Sequence, residues 1–144
     1  MYEGCISLTE AHDLKFERLL EYSCFSMFKN CTALTRAPRL LVFDVSQTAY
    51  DNMFEGCSNL SYIECAMIRN IINNSYPDND YGDKWVSGVA SSGTFVKSDV
   101  QVNYRHSIHS IPTGWEIVNK QFDGGDRIGN QITLYDNAYF YLVN

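Results

Sequence analysis

The chain has 144 residues, 45% of them hydrophobic and 19% charged, with a formal net charge of −6 and a pI near 4.9. That length suits one domain with a buried core. An acidic chain whose Lys and Arg are scattered argues against unaided nucleic-acid binding, which needs a basic patch. No run approaches the roughly eighteen apolar residues of a membrane span, and no basic-then-apolar leader opens the sequence.

Three related phrases dominate the first half: Met1–Ala11 (MYEGCISLTEA), Met27–Pro38 (MFKNCTALTRAP) and Met53–Ile63 (MFEGCSNLSYI). Their methionines are spaced by 26 residues, which predicts a repeat architecture of stacked units. Cys5, Cys31 and Cys57 share one position in the phrase, so they are expected to form a buried column of small apolar side chains rather than disulfides. Metal ligation is the weaker reading, since the spacing is one cysteine per unit and no C-x-x-C occurs. Met1 already stands in phase with Met27, and no polar capping unit precedes it. A fragment of a longer protein is the simplest explanation, and a natural start whose open end docks onto a partner is the other.

Within each unit two periods alternate. Leu8–Ala11, Leu34–Ala37 and Leu60–Ile63 read as short strands. Between them, Phe16, Leu19, Leu20, Ser23, Cys24, Met27 and Cys31 recur at three- or four-residue intervals, as do Val42, Val45, Ala49, Met53 and Cys57. That spacing predicts helical turns, with Asp44 and Ser46 as N-caps and Asn30 and Gly56 as left-handed closing residues.

Residues 69–84 are polar and turn-rich, and read as a loop inserted in the solenoid. From residue 85 to 144 the sequence predicts degenerate repeats and a cap within the same domain: Trp85, Phe95 and Trp115 closing the sheet, then a hairpin over 131–144 around Asp136-Asn137.

The phrase Met-Phe-x-Gly-Cys-Ser-x-Leu at 53–60, with Leu-Thr-x-Ala-Pro at 34–38 and Tyr50 ahead of Met53-Phe54, resembles the leucine-rich repeats of BspA-type bacterial surface proteins of Bacteroidales. The likeness covers residues 1–68, and the first unit departs from it with Cys24 at the tyrosine position. The segments WVSGVASSGTF and IPTGW resemble a module that closes many of those proteins. The resemblance implies an α/β solenoid: a short leucine-rich-repeat right-handed coil with a parallel sheet, degenerate C-terminal coils and a terminal β-hairpin. It also implies a place at the cell surface or outside the cell.

Candidate chemistry is sparse. Asp78, Asp80 and Asp83 offer three carboxylates to a hard cation such as calcium, but the loop lacks the glycine and glutamate of an EF-hand, and a solvated acidic turn is the plainer reading. His106 and His109 lack a third ligand or a helical setting for zinc, and no glycine elbow frames Ser107 or Ser110 as a nucleophile. No cofactor is expected. Glu10, Arg36 and Tyr62 occupy one outward position on successive units, with Arg39 nearby, and form either a binding strip or an ordinary solvated face. The expected function is therefore non-catalytic: adhesion, or recognition of a protein or glycan on a host or neighbouring cell, with no nucleic acid and no membrane insertion. The alternatives are a carbohydrate-binding module, suggested by ten tyrosines and by Trp85 and Trp115, or a phage structural or receptor-binding component.

Overall fold

The computed structural model describes residues 1–46, 48–71, 80–101 and 104–122, of which 69–71 are described in backbone only. The expected hairpin over 131–144, and Asp78, lie outside the described residues. Eight short strands form two sheets in which every pairing is parallel: β1 (Leu14–Lys15), β2 (Arg18–Leu19), β3 (Leu40–Leu41), β4 (Asp44–Ser46), β5 (Tyr62–Cys65), β6 (Arg69–Ile71), β7 (Thr94–Ser98) and β8 (Glu116–Lys120). One sheet runs β1-β3-β5-β7-β8 and the other β2-β4-β6, so each coil contributes one strand to a wall and turns the corner to the next. The result is a stack of coils resembling a β-solenoid of about four turns.

No helix occurs among the described residues, which corrects the helical half of the expected α/β class. The segments with three- and four-residue spacing are chains of tight turns. In the second of them, the amides of Phe25, Met27, Lys29 and Cys31 donate to carbonyls three residues back, at 3.0–3.3 Å. The intervening amides donate to the next coil: Cys24 to Ala49 (2.9 Å), Ser26 to Asp51 (3.0 Å), Phe28 to Met53 (2.9 Å) and Asn30 to Glu55 (2.8 Å). Alternate amides therefore close their own coil or join its neighbour, which satisfies the backbone without a helix. The device depends on a left-handed residue at every fourth place: Tyr22, Ser26 and Asn30 have φ of 59°, 52° and 61°. An α-helix cannot contain such residues at every turn. Asn30 and Gly56 are left-handed as expected, but they close turns. Asp44 and Ser46, expected as caps, lie in β4.

The strands also lie later than expected. Leu8–Ala11 and Leu34–Ala37 are not strands, although Arg36 makes an isolated parallel bridge to Tyr62. Leu14 pairs with Leu40, 26 residues on, but Leu40 pairs with Cys65, only 25 on. Since Arg36 still faces Tyr62, the extra residue of the second unit falls between 36 and 40, around Pro38. Proline lacks the amide a ladder needs, so β3 starts after it, whereas the third unit runs unbroken as β5.

Inside the stack, like residues meet like. Tyr2, Phe28 and Phe54 stack face to face, with centroids 5.3 and 5.6 Å apart, and Leu34, Leu60, Met53, Ile63 and Trp85 are fully buried. Cys31 and Cys57 are buried in the expected column, while Cys5, at the uncovered end, is exposed. A second, smaller apolar cluster joins Leu41, Phe43, Ala66 and Phe122. After the fourth coil the ribbon of turns stops. Arg105–Pro112 folds back on itself, with Ser107 N–H donating to Ile111 O (2.9 Å) and Ile111 N–H to Arg105 O (3.1 Å).

Candidate functional surface

The strip expected from the sequence comes together in part. Arg36 is exposed, and its guanidinium carbon sits 3.8 Å from the Tyr62 ring centroid, a cation–π contact across two coils. The parallel bridge between their backbones fixes this arrangement. Glu10 is exposed at the same position of the first coil, beside a cleft of about 470 Å³ lined, among the described residues, by Glu10, Ala11, His12 and Asp13. Arg39 is committed elsewhere: Nε and Nη2 donate to Asp13 Oδ2 at 3.0 and 2.8 Å, and its amide donates to Oδ1 at 3.2 Å. The Arg39 hydrogen bond holds the Asp13 carboxyl below its ordinary range. The pair fastens coil one to coil two.

Two members of the strip escaped the sequence reading. The Tyr62 hydroxyl donates to Glu64 Oε1 (3.3 Å), and Lys120 Nζ reaches Glu64 Oε2 at 2.8 Å. Glu64 follows Tyr62 by two residues on β5, so strand alternation could have placed it on the same face. Lys120 was not recoverable, because its register depends on the irregular spacing of the later coils. The row Arg36–Tyr62–Glu64–Lys120 therefore spans several coils as one connected polar and aromatic surface.

The acidic residues are drawn into ion pairs. Asp80, with its side chain only 5% exposed, receives Arg105 through both oxygens at 2.9 and 2.8 Å. Asp83 lies 3.2 Å from His109 Nδ1, and its amide donates to Asp51 Oδ1 at 2.8 Å. Burial raises the Asp51 carboxyl above its ordinary value. His106 faces the Pro112 carbonyl instead, so the two histidines do not converge. Among the described residues no three His, Cys, Asp or Glu side chains group as a metal site would require.

Both tryptophans are structural in their placement. Trp85 is fully buried with its indole N–H on Ser110 O (2.7 Å), and Trp115 is 4% exposed with its N–H on Ala90 O (2.8 Å). Sugar stacking needs an open ring face, which neither offers. Lys97 is likewise enclosed, donating to Ser98 O and Gln101 O, and burial lowers its basicity. Cys24 and Cys65 are both free and buried, not paired.

No helix among the described residues is long and apolar enough to cross a membrane. The geometry defines a parallel stack of coils with a polar, aromatic strand face. No protein-family model, curated protein or solved structure matches the chain.

Proposed function

We propose that this chain is a non-catalytic recognition domain, built from leucine-rich-type repeats like those of BspA-type surface proteins, and that it works in adhesion or protein–protein contact at a cell surface. The observation that carries the reading is the Arg36–Tyr62–Glu64–Lys120 row. A guanidinium stacked on a tyrosine is a surface whose side chains are already ordered, so a partner meets it at lower entropic cost. The Met-Phe-x-Gly-Cys-Ser-x-Leu phrase supports the family, and the absence of a connected acid, base and nucleophile in the described surface leaves recognition as the simpler assignment.

The test is binding of the labelled chain to an array of extracellular proteins, in parallel with a glycan array. Saturable binding to a protein that is lost in Arg36→Glu and Tyr62→Ala, both with unchanged melting curves, is the expected result. Selective glycan binding, or protein binding indifferent to both substitutions, would overturn it.

A further inference from the structure

The end of the stack that carries the first coil is chemically one-sided. Throughout the ribbon of turns, a coil gives amide hydrogens to the coil after it and receives them from the coil before it. Met27 O and Lys29 O accept from Tyr2 N and Gly4 N, just as Met53 O and Glu55 O accept from Phe28 N and Asn30 N. The matching carbonyls of Met1, Glu3, Ser23 and Phe25 accept no backbone hydrogen bond among the described residues. Around this row of acceptors stand Met1, Ile6, Phe16, Leu20, Tyr22 and Phe25, all exposed, Ile6 to 69% and Leu20 to 65%. β1 and β2 are the open edges of both sheets. The outer face of Tyr2 continues the Tyr2–Phe28–Phe54 stack, and the Cys5 thiol stands where Cys31 and Cys57 each reach a carbonyl of the preceding coil.

Everything this edge lacks is what one coil of the same phrase supplies: a row of amide donors at alternate residues, two strand edges, a ring and a carbonyl. Two copies of the chain meeting end to end through these edges would set acceptor against acceptor. The opposite end does not supply the donors either, because Tyr81 N and Lys84 N are spent on His109 O and Nδ1, and Val86 N on Ile108 O, all within the folded-back segment. We propose that the first-coil edge is a docking surface for a coil of this same 26-residue phrase, added head to tail by another polypeptide and not by a second copy of this chain. The edge lies apart from the Arg36–Tyr62 row, so its test can fail while the recognition reading stands.

The chain alone is expected to remain monomeric by light scattering at all concentrations, and a concentration-dependent dimer would overturn the proposal. The partner probe is a tandem array of residues 27–52, with lysines at the Leu20, Tyr22 and Phe25 positions preceding its first coil so that it cannot stack on itself. A one-to-one complex is expected, weakened at least about tenfold when the full chain carries Leu20→Lys and Phe25→Lys. No complex with a folded array, or one indifferent to those lysines, overturns the proposal. Should the array fail to fold, a copy of 27–52 fused ahead of Met1 in the full chain tests the fit. A melting temperature raised by at least about 4 °C with reduced dye binding supports it, and no change overturns it. A fused coil that packs while a folded array does not bind places the coil in tandem, which also overturns the proposal.

Discussion

Cys57 directs its thiol at the main-chain carbonyl of Phe28, 2.9 Å away in the preceding coil, and Cys31 does the same to Tyr2 at 3.0 Å. The cysteine column is thus a ladder of cross-coil contacts as well as a filler of space. Cys57→Ala removes both roles and is expected to cost about 1–3 kcal/mol, read as a shift in the urea midpoint. A thiol reagent should label Cys5 in the native chain and reach the other four cysteines only on unfolding.

The same column sets an alkaline limit. Burial pushes Cys57 and Cys65 up from 9.0 to about 12, and Cys24 to about 11. The folded chain holds these protons more tightly than the unfolded one. Their contribution is whole below pH 9 and is lost as pH climbs through the folded values. Melting temperature should therefore fall steadily above pH 9, and less steeply in a Cys65→Val variant.

Tyr50 and Tyr81 stack on Trp85 with centroids 5.7 and 5.0 Å from it, and both hydroxyls are buried without a hydrogen-bond partner. A buried orphan hydroxyl costs about 1–3 kcal/mol. Tyr50→Phe and Tyr81→Phe are expected to leave stability unchanged or raise it by up to about 1 kcal/mol. A loss above that size in chemical denaturation would show that the hydroxyls are satisfied in solution.

Arg105→Met strands the Asp80 carboxylate, whose side chain is 5% exposed. The arginine is partly in water, so the expected loss, about 1–3 kcal/mol, falls below that of a fully buried pair. Asp80→Asn with Arg105→Met should recover part of it in a double-mutant cycle.

Lys84 holds φ at 52° in the turn where Ser26 and Asn52 stand in earlier coils. Lys84→Gly relieves that strain and should gain up to about 1 kcal/mol, while Gly88→Ala, at φ 79°, should lose about 1 kcal/mol. Thermal melts of the two variants moving in the same direction would contradict the turn geometry.

The repeat was legible because Met, Phe, Cys and Leu fill fixed places in a stack, and stacking preserves phase. The turns were misread as helices because a chain of tight turns also brings residues three and four apart onto one side. What distinguishes them is the left-handed residue at each turn, and Ser26 and Lys84 carry no sign of it in their side chains. Asn30, Asn52 and Gly56, repeating in phase, were the available hint. The surface row was half visible: Arg36 and Tyr62 share a repeat position, but Lys120 meets Glu64 only through the shortened coil between β7 and β8, where Thr94 pairs with Glu116.

Gly56 and Gly88 are 32 residues apart, six beyond the repeat, yet both have φ of 79° and a Cβ added to Gly88 would lie 3.5 Å from the Gly56 Cα. Alignment between coils is thus enforced laterally, by ribbon and ladder, and does not depend on how much chain joins them. The stretch between β6 and Asp80 is where such a scaffold can change length without losing phase. A peptide tag or a small folded insert placed there should be carried by the stack, which makes this corner the natural site for grafting new loops onto the protein.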